Sequence, residues 1–222
     1  MKFHLLPLLL LTACTSPTSP TITNPQSNLL YLGHQNPITI TAPGLNARDL
    51  SVRIRGAGGE AIRVSDSSWN VTVQYPGLCT LEVSGAAIGR QVFQARPLPD
   101  PVLELSGPRI ARSDASEGAD AARTGGRLSP AEFQSRRGLT ANLENISLSA
   151  NCNVVSYTLV CLTPGQEPIE IENQGGAFQE QARQLVDQAQ AGDVFLFEEV
   201  RVQCPGDGVP RVVPGMAVRV DE

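Results

Sequence analysis

Lysine is almost missing from this 222-residue sequence, in which the only lysine is Lys2. Beyond residue 13, arginine is therefore the only permanently positive side chain, and 16 arginines stand against 22 carboxylates. Domains that bind nucleic acid normally carry a basic patch and a basic net charge. The acidic balance of this chain therefore predicts that nucleic acid is not a partner.

Long hydrophobic runs and histidine are also scarce. The apolar run at residues 5–11 is interrupted by Pro7 and is too short for a transmembrane helix, which needs about 20 residues. Beyond residue 13 the only histidine is His34, in a turn-like stretch that we interpret as an exposed loop rather than the base of a Ser-His-Asp or Cys-His site. No cluster of His, Cys and carboxylates has metal-site spacing, so we predict no metal and no cofactor.

The amino terminus has the order of an export signal. Lys2 and His4 form a short basic start, an apolar run follows, and Leu-Thr-Ala-Cys14 closes it. These last four residues resemble the lipobox of bacterial lipoproteins, in which the cysteine thiol carries a diacylglyceryl group. We therefore expect a signal peptide at residues 1–13 and lipidation of Cys14, whose acyl chains anchor the protein. The alternative is an ordinary secretory signal with a chance cysteine.

The next part of the chain divides into a polar tether and a β-rich domain. Residues 14–27 are mostly Ser, Thr and Pro with little apolar surface to bury, so we expect an extended tether. At residues 28–97, short alternating runs such as LSVRIRG and CTLEVSG are separated by turn residues, which predicts six or seven strands. We interpret this domain as a small immunoglobulin-like β-sandwich.

A second β-rich domain is predicted at residues 102–222, after a proline-rich linker at residues 98–101. The stretch from 106 to 126 lacks periodicity and is interpreted as a long exposed loop. Ser129, Pro130 and Glu132 form a capping box that predicts a short helix. Apolar residues at helical spacing predict one packed α-helix at about 177–191. The predicted fold class is therefore mainly β, a small sandwich followed by a β-rich domain with a packed helix.

Export places the remaining four cysteines in an oxidising compartment, where disulfides persist. Cys79 shares strand parity with two apolar residues and is expected in the first core. Cys152 and Cys161 flank one predicted strand and would lie ~30 Å apart along it, beyond disulfide reach. If a bond forms, we expect Cys204 to pair with Cys152 or Cys161; the alternative is that all four remain thiols.

Two further patterns could carry chemistry, and in both the structural interpretation is preferred. The glycine-rich residues 56–59 lie between two strands and open no helix that could hold a phosphate, so we expect a hairpin loop. Glu198 with Glu199, and Glu170 with Glu172, are paired carboxylates of the kind that glycosidases use, but they fall on predicted strand faces. Catalytic residues are therefore not predicted, and sheet edges that accept a partner strand are the more credible activity.

Several stretches, in this order, resemble the carboxy-terminal part of the GldM/PorM family of type IX secretion and gliding motility. They are YLGHQNPITITAPG at 31–44, FQARPLPDP at 93–101, LTANLENI at 139–146, VSY at 155–157, GDVFLFEEV at 192–200 and GDG at 206–208. The resemblance covers about residues 29–222 and implies two β-rich domains, dimerisation and docking onto an outer-membrane-associated lipoprotein ring. The family's amino-terminal transmembrane helix and helical periplasmic domain have no counterpart here, so motor coupling is not expected.

Together these features predict a non-enzymatic, lipid-anchored protein of the bacterial cell envelope that acts as a protein-binding scaffold component related to type IX secretion or gliding. The expected partners are envelope proteins, including ring lipoproteins of type IX secretion, the membrane through the acyl anchor, and a second copy in a homodimer. The expected location is the outer membrane, facing the periplasm. The alternative is an accessory envelope protein that binds a peptide, a glycan or a protease, and an enzyme is the third choice.

Overall fold

The chain was analysed as a computed structural model that describes residues 19–107, 125–144 and 150–222. The predicted signal peptide, Cys14 and most of the predicted loop at 106–126 lie outside these residues. Within them the protein is mainly β, as the alternating patterns predict, with two α-helices and one short 3-10 helix at Ala47–Asp49. Neither α-helix has the length and apolar character needed to span a bilayer.

The described residues form sixteen strands and two α-helices. In chain order they are β1 (Thr21–Thr23), β2 (Leu29–Tyr31), β3 (Asn36–Thr41), β4 (Leu50–Arg55), β5 (Glu60–Arg63), β6 (Ser68–Thr72), β7 (Gly77–Gly85), β8 (Gly89–Arg96), β9 (Val102–Ser106), β10 (Gly126–Leu128), α1 (Pro130–Gln134), β11 (Gly138–Asn142), β12 (Asn153–Leu162), β13 (Ile169–Gln174), α2 (Glu180–Asp187), β14 (Val194–Gln203), β15 (Arg211–Val212) and β16 (Met216–Val220).

The first half of the protein is a sandwich of two four-stranded sheets. Sheet I has the order β1-β3-β6-β5, and sheet II has the order β2-β8-β7-β4. Alternate residues of each strand are apolar and face the partner sheet, which is the pattern expected for aligned sheet packing. The shared core includes Ile38, Ile40, Trp69 and Val71 from sheet I and Leu30, Cys79, Leu81, Val83 and Phe93 from sheet II.

The predicted tether at 14–27 is wrong at its carboxy-terminal end. Thr21–Thr23 pairs antiparallel with Thr39–Thr41 and forms an edge strand of sheet I, where Ile22 packs against the first core. Thr and Ile are β-branched residues that favour a half-buried strand. Asn24 then closes a turn, because its side chain accepts a hydrogen bond from the Gln26 N–H and donates one to the Leu29 carbonyl.

The second half is built on a larger mixed sheet with helices packed on one face. Sheet III has the order β10-β16-β14-β12-β13, β15 pairs with β14, and β9 and β11 form a separate antiparallel pair. The inner face of sheet III and both helices bury one core that includes Phe133, Tyr157, Leu159, Ala182, Val186, Phe195 and Phe197. The rings of Phe133 and Phe195 are 4.6 Å apart, so α1 sits directly on the central strand β14.

Both helices show how local sequence sets helix ends. At α1 the Ser129 side chain accepts from the Glu132 N–H, and the Glu132 carboxylate accepts from the Ser129 N–H, which confirms the predicted capping box. The predicted helix at about 177–191 is shorter, from Glu180 to Asp187. It begins late because Asn173 donates to the Ala177 carbonyl and accepts from the Gln179 N–H, so the residues before Glu180 are fixed outside the helix.

The two halves are joined by more than a linker. Tyr31 and Leu98 are buried in the core of the second half, so Leu98 of the predicted linker at 98–101 is a packing residue. Arg211 makes two bonds to the Asp207 carboxylate and also donates to the Leu98 carbonyl and to Asp100. One guanidinium, held by two bonds to Asp207, therefore fixes the linker against the second half through two further bonds to Leu98 and Asp100.

Candidate binding face

The predicted chemical residues lie apart from one another in the described structure. His34 is half-buried in the turn after β2, and this burial lowers the pKa of its imidazole. Its carbonyl accepts a bond from Asn36, a fully buried residue that also pairs with Tyr31 and Val71. The role of this turn is therefore structural. Cys14, the predicted lipidation residue, lies outside the described residues.

The cysteines divide into one disulfide and two buried thiols. The structure places the disulfide between Cys152 and Cys204, which are 52 residues apart in the sequence. Cys79 and Cys161 are free and buried in the first and second cores respectively. Burial raises the pKa of both thiols, and reactive cysteines need a lowered pKa and exposure. These two cysteines are therefore packing residues.

The candidate carboxylates lie on the outer face of sheet III. Glu172 and Glu198 both lie opposite Thr158 on either side of β12, and Glu170 lies opposite Val160. All three glutamates are exposed. Because one strand, β12, lies between the strands of Glu172 and Glu198, their backbones are about 10 Å apart on an open sheet surface. A glycosidase pair instead flanks a bound sugar in a cleft.

Two surface depressions lined by described residues contain no ionisable side chains. One, of about 330 Å³, lies between β11 and the start of β12 and is lined by Thr140, Asn142, Asn151 and Asn153 among others. The other, of about 360 Å³, lies between α2 and β13 and is lined by Gln181, Gln184, Gln188, Ile171 and Leu185. Within the described ranges, no three His, Cys, Asp or Glu side chains are placed to hold a metal ion.

The outer face of sheet II has a different character, because arginines and exposed aliphatic residues alternate across three strands. Arg53, Glu82 and Arg90 form one row across β4, β7 and β8. Arg55, Thr80 and Val92 form the next row, and Leu78 lies opposite Gln94 in the row after that. We call Arg53, Arg55, Arg90, Leu78 and Val92 the basic face.

The aliphatic members of the basic face are unusually accessible. Leu78 is 70% exposed and Val92 is 52% exposed, although both lie in the middle of a four-stranded sheet. The inward neighbours of the same strands, Cys79 and Phe93, are 2% and 0% exposed. Exposed aliphatic residues bordered by charge are a feature of protein-binding surfaces.

The charge of the basic face is only partly compensated. Arg55 is paired with Glu82 at 2.6 Å, whereas Arg53 and Arg90 make no ion pair with any residue of the described segments. The wider sequence shows the same asymmetry. Residues 19–97 contain six arginines and four carboxylates, whereas residues 98–222 contain ten arginines and eighteen carboxylates. The two halves of the chain therefore carry opposite net charge.

Sequence reasoning placed Arg53 and Arg55 outward but did not identify this face. The sequence does contain a signal for it in RQVFQAR and GLCTLEVSG. Inward and outward residues alternate in both stretches, and Val92 and Leu78 are apolar residues at outward positions. The sheet edges that were predicted to bind a partner strand are present at β5 and β13. β5 has only four residues and ends at Arg63, which is paired with Asp66; a short strand that carries charge is one way in which edges are protected.

Comparisons with known proteins cover both halves. A family model described as the GldM third domain matches residues 19–97, and one described as the GldM C-terminal domain matches residues 97–221. No curated protein matches the chain. A solved structure titled "Crystal structure of Dpr11 IG1 bound to DIP-gamma IG+IG2" aligns over 92% of this chain and 100% of its own, at 9% identity and a TM-score of 0.26, too low to carry an argument.

Proposed function

The chain belongs to the GldM family of the type IX secretion and gliding machinery, and from this premise we propose that it is a non-catalytic, lipid-anchored binding component of that machinery. Its two β-rich halves present surfaces to other envelope proteins. The expected partners are proteins of the type IX secretion apparatus, including ring lipoproteins. The expected location is the outer membrane, facing the periplasm.

The observation that carries this proposal is the basic face. Leu78 and Val92 lie on adjacent strands in successive rows, diagonally across from each other, and both are exposed with three arginines around them. Arginine is enriched at protein interfaces relative to the rest of the surface, whereas lysine is depleted. A chain whose only lysine is Lys2 and whose exposed aliphatic residues are bordered by arginine therefore has the composition of a binding surface.

The rigid junction between the halves supports the same role. Gly33 and Gly206 pack backbone to backbone, and both have a left-handed φ, so a side chain at either position would clash with the other loop. Together with the Arg211 contacts, this fixes the orientation of the basic face relative to sheet III. A component that holds two partners in a defined arrangement needs a fixed angle between its two halves, because a flexible linker would allow many angles.

Lipid anchoring through Cys14 is the second part of the proposal. A thiol that carries a diacylglyceryl group, together with an acylated amino terminus, gives the two or more chains that stable anchoring requires. The Cys14→Ala variant should therefore leave the membrane fraction and lose labelling by a fatty-acid probe. Continued membrane attachment of this variant without labelling would show that the anchor is something else.

Affinity purification from crosslinked cells tests partner binding. The wild-type chain, Leu78→Asp and Ile62→Asp should be compared; Ile62 is 56% exposed on sheet I and is the matched control for a charge placed on a strand face. We expect wild type and Ile62→Asp to recover the same machinery proteins, and Leu78→Asp to lose them because a charged carboxylate would replace an apolar side chain that is buried in the contact. Equal recovery by all three chains would contradict the basic face as the binding site, and recovery of a protease or other envelope protein would favour an accessory role.

A further inference from the structure

The strand β13 forms an open edge of sheet III. It pairs with β12 on one side only, over six successive residue pairs without a register shift. The Gly175 N–H, just after β13, donates to the Val155 carbonyl. Because hydrogen bonds alternate along an antiparallel pair, the backbone N–H and C=O groups of Glu170 and Glu172 point away from β12. Within the described segments no residue bonds to these groups, so they are available to a further strand.

The two faces of this edge differ in chemistry. Ile169 and Ile171 point to the helix side of sheet III, because their partners on β12 belong to the buried core. Ile169 is nevertheless 46% exposed. Glu170 and Glu172 alternate with the isoleucines, point to the opposite side and are exposed. A strand added here would therefore meet an apolar row on one face and an acidic row on the other.

A depression beside β13 has room for side chains of such a strand. It measures about 360 Å³ and lies between β13 and α2. Its lining consists of two partly buried aliphatic residues, Ile171 and Leu185, and three glutamines on or just after α2, which are Gln181, Gln184 and Gln188. Glutamine amides both donate and accept hydrogen bonds, so they suit a bound main chain. The lining carries no charge, and side chains that enter it should therefore be uncharged.

We propose that the open edge of β13 binds an extended segment of another protein in which apolar and basic residues alternate. The segment adds to sheet III by main-chain hydrogen bonds and becomes a further strand. Its apolar residues pack on Ile169 and Ile171 beside α2. Its basic residues lie opposite Glu170 and Glu172, where cross-strand pairs of opposite charge are stabilising. This site is separate from the basic face and recognises a strand, which goes beyond the proposed function.

The charge of the edge decides which strand it accepts. If a second β13 were added with its isoleucines toward α2, Glu170 and Glu172 of both copies would share one face, and like charges directly opposite are destabilising. If it were turned over, its glutamates would enter the uncharged depression. Arg201 is also exposed, but it lies on β14, with β12 between it and β13. Residues 98–222 carry ten arginines and eighteen carboxylates, which also favours a basic partner.

Peptide binding to the full chain, purified in mild detergent, tests the proposal. The probe is a capped, fluorescent peptide of the length of β13 in which valine and arginine alternate. Its control has the same residues with the valines and the arginines in separate blocks. Fluorescence anisotropy gives the dissociation constants, and hydrogen exchange resolved to single amides is measured with and without the probe.

The test variant is Glu170→Lys/Glu172→Lys, and the matched control is Glu198→Lys/Glu199→Lys. All four glutamates are exposed, and both double variants change the net charge equally. The control pair lies on β14, three strand spacings or about 14 Å from the added strand. This distance exceeds the Debye length of about 8 Å at physiological salt. Circular dichroism of each variant checks that it is folded.

We expect the alternating peptide to bind the wild type and the control variant alike, and the block peptide to bind much more weakly. Glu170→Lys/Glu172→Lys should weaken binding of the alternating peptide about tenfold or more, because two favourable charge pairs become unfavourable. The same variant should bind a peptide in which valine and glutamate alternate, a gain that loss of folding cannot produce. The bound probe should slow exchange of the Glu170 and Glu172 amides but not of the Ile171 amide, which is already bonded to β12.

Other outcomes overturn the inference. Absence of binding to the wild type contradicts it, equal binding of the alternating and block peptides would show that charge alone is recognised, and unchanged exchange at Glu172 would exclude strand addition. Self-association of the wild type that the test variant abolishes would assign the edge to a second copy, such as its β4, where Arg53 and Arg55 alternate with apolar residues. Leu78→Asp should bind the peptide like the wild type, so a failure here is distinguishable from a failure of the proposed function.

Discussion

Replacement of Asn36 by alanine should destabilise the first half by about 4 kcal/mol or more, which is much of the 5–15 kcal/mol that holds a typical domain folded. The Asn36 side chain is fully buried and accepts from the Tyr31 N–H at 2.7 Å. It also donates to the carbonyls of Tyr31, His34 and Val71 at 3.0–3.1 Å. Alanine removes every one of these bonds and leaves buried backbone groups unpaired, at about 1–3 kcal/mol for each.

Urea unfolding followed by tryptophan fluorescence measures this effect directly. The only tryptophan, Trp69, is 3% exposed in the core of the first half, so its emission reports on that half. Asn70→Ala is the matched control, because Asn70 bonds only to the exposed Gln35 side chain, at 2.9 Å, and should cost less than about 0.5 kcal/mol. If Asn36→Ala and Asn70→Ala unfold with the same midpoint, the buried amide does not stabilise this turn and the reasoning is refuted.

Three further predictions concern the second half, the junction and pH. Removal of the Cys152–Cys204 disulfide by double replacement with serine should lower the free energy of unfolding by about 4 kcal/mol, since the bond closes a loop of 52 residues. Thermal unfolding of the wild type in reducing agent should match that of the double variant. If the double variant instead unfolds at the same temperature as the oxidised wild type, the estimate is wrong. Arg211→Met should lower the free energy of unfolding by about 1–3 kcal/mol and make residues 97–101 more sensitive to protease, because Asp207 and the Leu98 carbonyl lose their donor. The control is Arg219→Met, which should have almost no effect because the Arg219 side chain is 58% exposed. Burial lowers the pKa of the His34 imidazole from 6.5, so below that pH the unfolded chain binds a proton more readily than the folded chain. The His34→Gln variant should therefore lose less stability on acidification than the wild type. Urea unfolding of both chains at several pH values measures this, and an equal loss of unfolding free energy in the two chains would contradict it.

The strands and the capped helix α1 could be predicted from the sequence because their signals are local. Alternation of apolar and polar residues reports which face of a strand is buried, and Arg53 was placed outward on that basis. The Ser129–Glu132 capping box needs only four consecutive residues. These features depend on periodicity and side-chain reach, which tertiary context did not override here.

Other features depend on contacts between distant segments. Thr21–Thr23 becomes a strand only because β3 offers an open edge, so its proline-rich surroundings predicted a tether. The helix at about 177–191 was predicted too long for a different reason: the Asn173 side chain, on the preceding strand, bonds to the backbone of residues four and six positions later and holds it outside the helix. The basic face also required the strand order of sheet II, since Arg53 and Arg90 become neighbours of one strand only after folding.

Site-specific photocrosslinking in living cells is the most direct test of whether this protein works by binding other envelope proteins through sheet II. A photoreactive amino acid is introduced at Leu78, and in a parallel strain at Ile62, which has comparable exposure on the opposite sheet. We predict adducts at position 78 that contain a type IX secretion protein, and few or none at position 62. Equal labelling at the two positions, or no adduct at either, would contradict the proposed role of the basic face.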